Sequence, residues 1–257
     1  MGKCISVANQ KGGVGKTTTS VNLASCLGAC KKKVLLIDLD PQGNATSGAG
    51  VDKEAEHGSV YDVLINSAPF GDVIAKTEFD NLWVCPSNID VAGAEIELVS
   101  LDEREYRLKN ALLKIKNDFD FIIIDCPPSL GLLTLNAFVA SDSIIMPIQC
   151  EYYALEGLSQ LTSTVRTVKK SLNPSIEIEG VLLTMYDVRT NLSLLVAEEV
   201  KKYYGDKLYK TVIPRNVRLS EAPSYGQPIN YYDKSSKGSK CYLSLAKEVI
   251  KHNKKQK

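Results

Sequence analysis

The octapeptide Lys11-Gly12-Gly13-Val14-Gly15-Lys16-Thr17-Thr18 limits what this chain can fold into more than any other feature. It joins an apolar run, Lys3–Ala8, to a segment of helical spacing over roughly Lys16–Ala29. With no side chain at Gly12, Gly13 and Gly15, the backbone can curl and turn its N–H groups inward around an anion. The helix opening near Lys16 adds unpaired N–H donors and the positive end of its dipole. Gly-Lys-Thr-Thr in a strand–loop–helix context reads as a phosphate loop spanning Lys11 to Thr18. Lys16 supplies a point charge to the β- and γ-phosphates, and the Thr17 hydroxyl suits magnesium.

The rest of the chain builds a fold around that loop. Strand-like runs at Val34–Asp38, Leu82–Pro86, Phe121–Asp125, Ser143–Gln149, Ile178–Thr184 and Tyr209–Ile213 alternate with helical segments. Those segments are Val91–Val99, Glu103–Lys116, Leu130–Val139, Ala154–Ser171, Leu192–Tyr204 and Tyr242–His252. Such alternation predicts an α/β fold, a mostly parallel twisted sheet with helices on both faces. Phe121–Ile124 is apolar at every position, as a central parallel strand must be. Residues 214–238, rich in proline and glycine, predict irregular structure. No linker divides the 257 residues, so one domain over 1–257 is expected, long enough to bury a full core. No apolar run approaches the ~18 residues a membrane-spanning helix needs.

Two acidic strand ends complete the chemistry. The run Val34–Asp38 continues as Leu39-Asp40-Pro41, placing Asp38 and Asp40 at the sheet edge where ligands bind. Asp40 is expected to orient an attacking water, with Asp38 nearer the metal shell. The run Phe121–Ile124 ends in Asp125-Cys126-Pro127-Pro128, a Walker B pattern. Asp125 is expected to bind magnesium through water, because that ion keeps most of its hydration shell. Pro127 and Pro128 stiffen the next turn, which suits a switch segment that senses the γ-phosphate. The seven cysteines are odd in number, form no Cys-x-x-Cys and sit mostly in apolar runs, which predicts reduced, buried thiols. His57 and His252, the only histidines, lie in polar surroundings that do not favour a zinc site.

The phosphate loop departs from the standard G-x-x-x-x-G-K-[ST] pattern, with Gln10 in place of the first glycine and Lys11 added. It resembles the deviant Walker A motif of the ParA/MinD/nitrogenase-iron-protein superfamily. The segments Leu183–Asn191 and Ile213–Pro223 closely resemble chromosomal ParA proteins of the Soj branch, so the likeness runs from Lys3 to about Ile250. That resemblance implies ATP and Mg2+ as cofactors and Lys11 as a lysine that reaches the partner's nucleotide across an ATP-dependent homodimer. It also implies an adenine pocket lined by Pro214 and Asn216, and nonspecific binding of double-stranded DNA through Arg189 and Arg218. Slow ATP hydrolysis stimulated by a ParB-like centromere-binding partner follows from the same likeness, in a cytoplasmic, nucleoid-associated protein. No Asn-Lys-x-Asp guanine-reading motif occurs, which favours ATP. Charge agrees with the DNA reading: residues 201–257 hold 14 Lys and Arg against 4 Asp and Glu, and the first 200 hold 17 against 26.

Other readings make different demands. A MinD-like membrane switch needs the stripe Leu243, Leu245, Ala246, Val249 and Ile250 free to enter lipid. An iron–sulfur carrier needs two ligand cysteines at the dimer axis, for which Cys126 and Cys150 are the candidates. The start Met1–Ser6 fits a loose myristoylation pattern, but a first strand over Lys3–Ala8 leaves no free arm for a lipid. No stable membrane association is expected.

Overall fold

Strands apolar on both faces must be covered on both faces, and that demand organises the molecule. The computed structural model describes residues 2–53, 58–151 and 154–254. Its strands are β1 (Lys3–Val7), β2 (Val34–Asp38), β3 (Ala75–Lys76), β4 (Leu82–Cys85), β5 (Phe121–Asp125), β6 (Ser143–Gln149) and β7 (Glu177–Thr184). The helices are α1 (Lys16–Ala29), α2 (Asn44–Gly48), α3 (Val60–Leu64), α4 (Phe70–Val73), α5 (Val91–Glu97) and α6 (Arg107–Leu112). After them come α7 (Leu132–Ala140), α8 (Ala154–Ser171), α9 (Asn191–Tyr204), α10 (Val217–Glu221), α11 (Ile229–Tyr232) and α12 (Lys237–Lys254). The sheet order is β3-β4-β2-β5-β1-β6-β7, with every pair parallel except the β3–β4 edge.

Alternate residues of each strand feed two apolar layers. Ile122 and Ile124 of β5 enter the layer under α3, α5, α6, α7, α8 and α9. Phe121 and Ile123 enter the opposite one, built with α1 and α12. The register sets Val7 beside Asp125 and Asp38 beside Asp125, so three strand ends converge on one edge.

The structure corrects the expected strand over Tyr209–Ile213. That segment forms no strand, and only isolated bridges flank it, Leu208 to Val181 and Pro214 to Tyr186. The Glu248 carboxylate of α12 accepts the N–H groups of Lys210 and Thr211 at 2.9 and 3.1 Å, which takes those donors out of any ladder. The expected helix over Glu103–Lys116 contracts to α6, since Glu103 adopts φ +50°, outside the helical region. Residues 214–238 contain the short helices α10 and α11 and the start of α12. Gly2 is tucked under the sheet: its N–H donates to the Lys116 carbonyl at 3.1 Å, and a Cβ there would overlap the Phe119 carbonyl. The seven thiols are unpaired, and five of them are buried. His57, weighed as a zinc ligand, lies outside the described residues.

Candidate nucleotide site

The phosphate loop leaves β1 and is tied down on both sides by side chains from other elements. Asn9 donates to the Pro147 carbonyl at 2.7 Å and accepts from the Lys11 N–H at 2.9 Å. From the end of β7, the Thr184 hydroxyl lies 2.8 Å from the Val14 carbonyl and 2.9 Å from that of Ile148. Gly13 and Gly15 take φ +75° and +86°, the left-handed region that other residues enter at a cost. A Cβ built on Gly12 or Gly13 meets open space, so the cradle is clear above the loop. Val14 is buried and offers the site its backbone alone.

Lys16 is the first residue of α1 and only 7% exposed, with its Nζ 3.2 Å from the Lys11 carbonyl. Burial lowers its pKa, and Asp125, Cys126 and Asp40 oppose that shift. Lys11 behaves differently. Its carbonyl serves Lys16, but its side chain leaves the loop and pairs with Glu151, and both partners are half exposed.

The acidic pair sits deeper. Asp125 is fully buried, and Ser20 donates to its Oδ1 at 2.7 Å. Its Oδ2 is buried without a hydrogen-bond partner, although Thr17 approaches the same carboxylate. Burial and the neighbouring Asp38 push the Asp125 carboxyl above the usual carboxylate range. Asp38, also fully buried, accepts from the Asp40 N–H at 3.1 Å and from the N–H and hydroxyl of Thr46, both at 2.8 Å. Burial outweighs those donors, and its pKa moves upward too. Asp40 is half-buried, one turn further out; its Oδ1 accepts from the Gln42 N–H at 3.0 Å. An orphaned buried oxygen, a neighbouring hydroxyl and a lysine held under an open glycine loop form a donor set that fits a magnesium-bound polyphosphate.

Beside Gly15 and Thr18 opens a cavity of about 450 Å³, lined on its far side by Met185, Pro214 and Asn216. Asn216 also caps α10, accepting from the Leu219 N–H at 3.4 Å. The Tyr186 N–H donates to the Ile213 carbonyl at 3.0 Å, which joins the loop carrying Arg189 to the segment that leads into α10, where Arg218 sits. Arg189 is bidentate to Asp187 at 2.9 and 2.7 Å, with its side chain 84% exposed. Arg218 reaches Glu221 at 2.9 Å and Asp233 at 3.5 Å. Each arginine thus has a carboxylate partner close by in the chain, and Arg218 has a more distant one in Asp233.

Sequence reasoning brought out the loop and the acidic strand ends and missed the residues that hold them. Ser20 stands four residues after Lys16, on the same face of α1, and that spacing was a usable signal. Thr46, Thr184 and Glu151 reach the site through tertiary contacts with no local pattern. Of the two cysteines weighed as cluster ligands, Cys126 is fully buried with its Sγ 4.0 Å from the Ile124 carbonyl. Burial pushes the Cys150 thiol up to about 11.

Known proteins resemble this chain over nearly its whole length. A family model described as an AAA domain matches residues 2–178. The sporulation initiation inhibitor protein Soj of Bacillus subtilis is 64% identical over 249 residues, covering 97% of this chain and 98% of its own. The chromosome partitioning protein ParA of Myxococcus xanthus is 52% identical over 253 residues, covering 98% of this chain and 89% of its own. Among solved structures, cobyrinic acid a,c-diamide synthase from Mycobacterium smegmatis with bound ATP analog and magnesium is similar at TM-score 0.86 and 38% identity. That match covers 100% of this chain and 98% of the other.

Proposed function

This chain belongs to the ParA/Soj family of chromosome-partitioning ATPases, and from that premise we propose that it is an ATP-driven dimerisation switch acting on DNA. Its cofactors are ATP and magnesium. The loop Lys11 to Thr18 holds the phosphates through its N–H groups and the Lys16 charge, while Pro214 and Asn216 line the adenine cavity. Thr17 and Asp125 would hold magnesium, with Asp38 behind them, and the ion would supply charge to neutralise the phosphates. Asp40 accepts a hydrogen bond from the attacking water and orients it. Arg189 and Arg218 face the phosphates of double-stranded DNA.

The observation that carries the dimer reading is the direction of Lys11. Its side chain turns off its own loop toward Glu151 instead of into the cradle its backbone helps to build. An exposed lysine–glutamate pair exchanges readily, so the ammonium is free to serve a nucleotide held by a second copy. Hydrolysis is then slow until a dimer forms, and a ParB-like centromere-binding partner accelerates it. Closing the dimer doubles the basic surface offered to DNA and raises affinity through multivalency. In the cell the protein is cytoplasmic and rides on the nucleoid.

The test is DNA retention measured with no nucleotide, with ADP, with ATP and with a non-hydrolysable analogue. Retention should require ATP or the analogue, and persist longest with the analogue. Equal retention in all four conditions rejects the switch. A membrane reading finds no support in α12: Tyr242, Leu245, Ala246 and Val249 are buried in the protein's own core. No described helix is long and apolar enough to cross a membrane.

A further inference from the structure

The amino edge of the sheet, opposite the nucleotide site, carries a cavity of about 350 Å³. It opens where β1 and β5 begin, at Lys3 and Phe121, and where α12 ends, at Lys254. That volume lies in the range of small-molecule sites. Four lysines, Lys3, Lys32, Lys116 and Lys254, line it against two aspartates, Asp120 and Asp142. Lysines near helix carboxyl ends answer the partial negative charge there, which accounts for Lys32 after α1 and Lys254 in α12. It does not account for Lys3 and Lys116, whose side chains are only 21% and 13% exposed.

The nearby carboxylates are committed to other donors as well. Asp120 accepts the Lys33 N–H at 2.9 Å, and Asp142 accepts the Cys4 N–H at 2.7 Å. Glu179, beside Lys3, accepts from the Ser143 hydroxyl at 2.6 Å and the Asn253 amide at 2.8 Å. The ammoniums are less well served. Lys3 stands 3.4 Å from Glu179 and Lys32 stands 3.6 Å from Asp120, both beyond ordinary hydrogen-bond length. Lys116 alone of these three meets its partner closely, Asp142 at 2.7 Å. Each ammonium brings three N–H donors, so the four lysines carry more donors than these carboxylates take up.

Charge and shape select the ligand. Four lysines against three carboxylates, Glu179 included, leave the cavity positive, which repels a metal cation. A rigid DNA duplex could not reach down to the mostly buried Lys3 and Lys116. A phosphomonoester brings about −1.5 to −2 charge and three acceptor oxygens. Phe121 and Ile250 offer an apolar wall for the rest of such a molecule. We propose that this cavity is a second ligand site, which takes a small phosphomonoester with a flat apolar body. Its oxygens meet the lysine ammoniums, and its body lies against Phe121 and Ile250. The site is at the far end of β1 from the phosphate loop and is independent of the switch reading.

The probe is phenyl phosphate, titrated by calorimetry into protein whose phosphate loop is saturated with ADP and magnesium. It should bind saturably, and more tightly than inorganic phosphate or phenol. Lys32→Gln with Lys254→Gln should weaken binding about tenfold or more. Circular dichroism and basal ATP turnover should not change, since neither residue belongs to the phosphate loop. Lys32→Arg with Lys254→Arg should keep most of the affinity, because the charge is retained. Lys16→Ala should bind the probe normally while losing ATP turnover, so the second site and the switch can fail separately. The proposal is overturned by no saturable binding, by equal binding of inorganic phosphate, or by equal binding to the glutamine variant. It is also overturned if Lys16→Ala abolishes binding, which would put the probe in the phosphate loop. Displacement of the probe by a short DNA duplex would assign the lysines to DNA and overturn it too.

Discussion

Asp125 is kept at a cost to the fold. One of its oxygens is buried without a partner, a desolvation that the proposed magnesium would relieve. Asp125→Asn should therefore raise the stability of nucleotide-free protein by roughly 1–3 kcal/mol in denaturant unfolding while abolishing magnesium-dependent turnover. The pH dependence has a definite sign. A carboxyl raised above its unfolded value binds its proton more tightly in the folded state, so stability is full below the unfolded pKa and falls as pH rises toward the folded one. Asp125→Asn should flatten that fall. Lys11 and Lys16 divide differently. Lys16→Ala should lose nucleotide binding in the monomer, whereas Lys11→Ala should keep most of it and lose dimerisation and turnover. If titration of a labelled ATP analogue gives both variants the same weakened affinity, Lys11 acts within its own subunit. Asp40→Ala should bind ATP and close the dimer without hydrolysing it. A monomeric elution profile with ATP and magnesium would remove Asp40 from that role.

At the scale of elements, α12 illustrates how an amphipathic stripe is read. Leu245 is fully buried between α12 and α1, where the Tyr242 hydroxyl also meets Thr19 at 3.2 Å. Leu245→Ala should cost about 2–5 kcal/mol, seen as a lower melting temperature. Vesicle sedimentation should be the same for this variant and the parent, because the stripe is core. A membrane anchor predicts the reverse, with lost sedimentation and little change in stability. The failed strand at Tyr209–Ile213 belongs to the same scale. Its β-like residues were legible, but the Glu248 carboxylate that takes two of its N–H groups comes from α12, 37 and 38 residues along.

For the whole molecule, the uneven charge along the chain is the relevant quantity. Nonspecific DNA affinity comes from cations that displace condensed counterions, so each lost phosphate contact should lower the log–log salt slope by about 0.9. Arg189→Glu with Arg218→Glu should remove DNA binding on unrelated sequences alike and leave ATP-dependent dimerisation intact, since neither residue touches the phosphate loop. An unchanged salt slope would move the DNA face elsewhere, to Lys234, Lys237, Lys240 and the C-terminal lysines.

Sequence alone determined the α/β class, the phosphate loop and the acidic strand ends, because each is written in neighbouring residues. Glycine spacing, strand apolarity and the Gly-Lys-Thr step are local, and local physics suffices to read them. Tertiary structure decided what surrounds them. Ser20 and Thr46 support the carboxylates, Thr184 anchors the loop from the far side of the sheet, and Glu151 draws Lys11 outward. The Asp233 partner of Arg218, and the lysine-lined cavity at the amino edge of the sheet, were likewise hidden. Most of these contacts join residues far apart in the chain, and a one-dimensional pattern records what a side chain can do but not which neighbours the fold will bring to it.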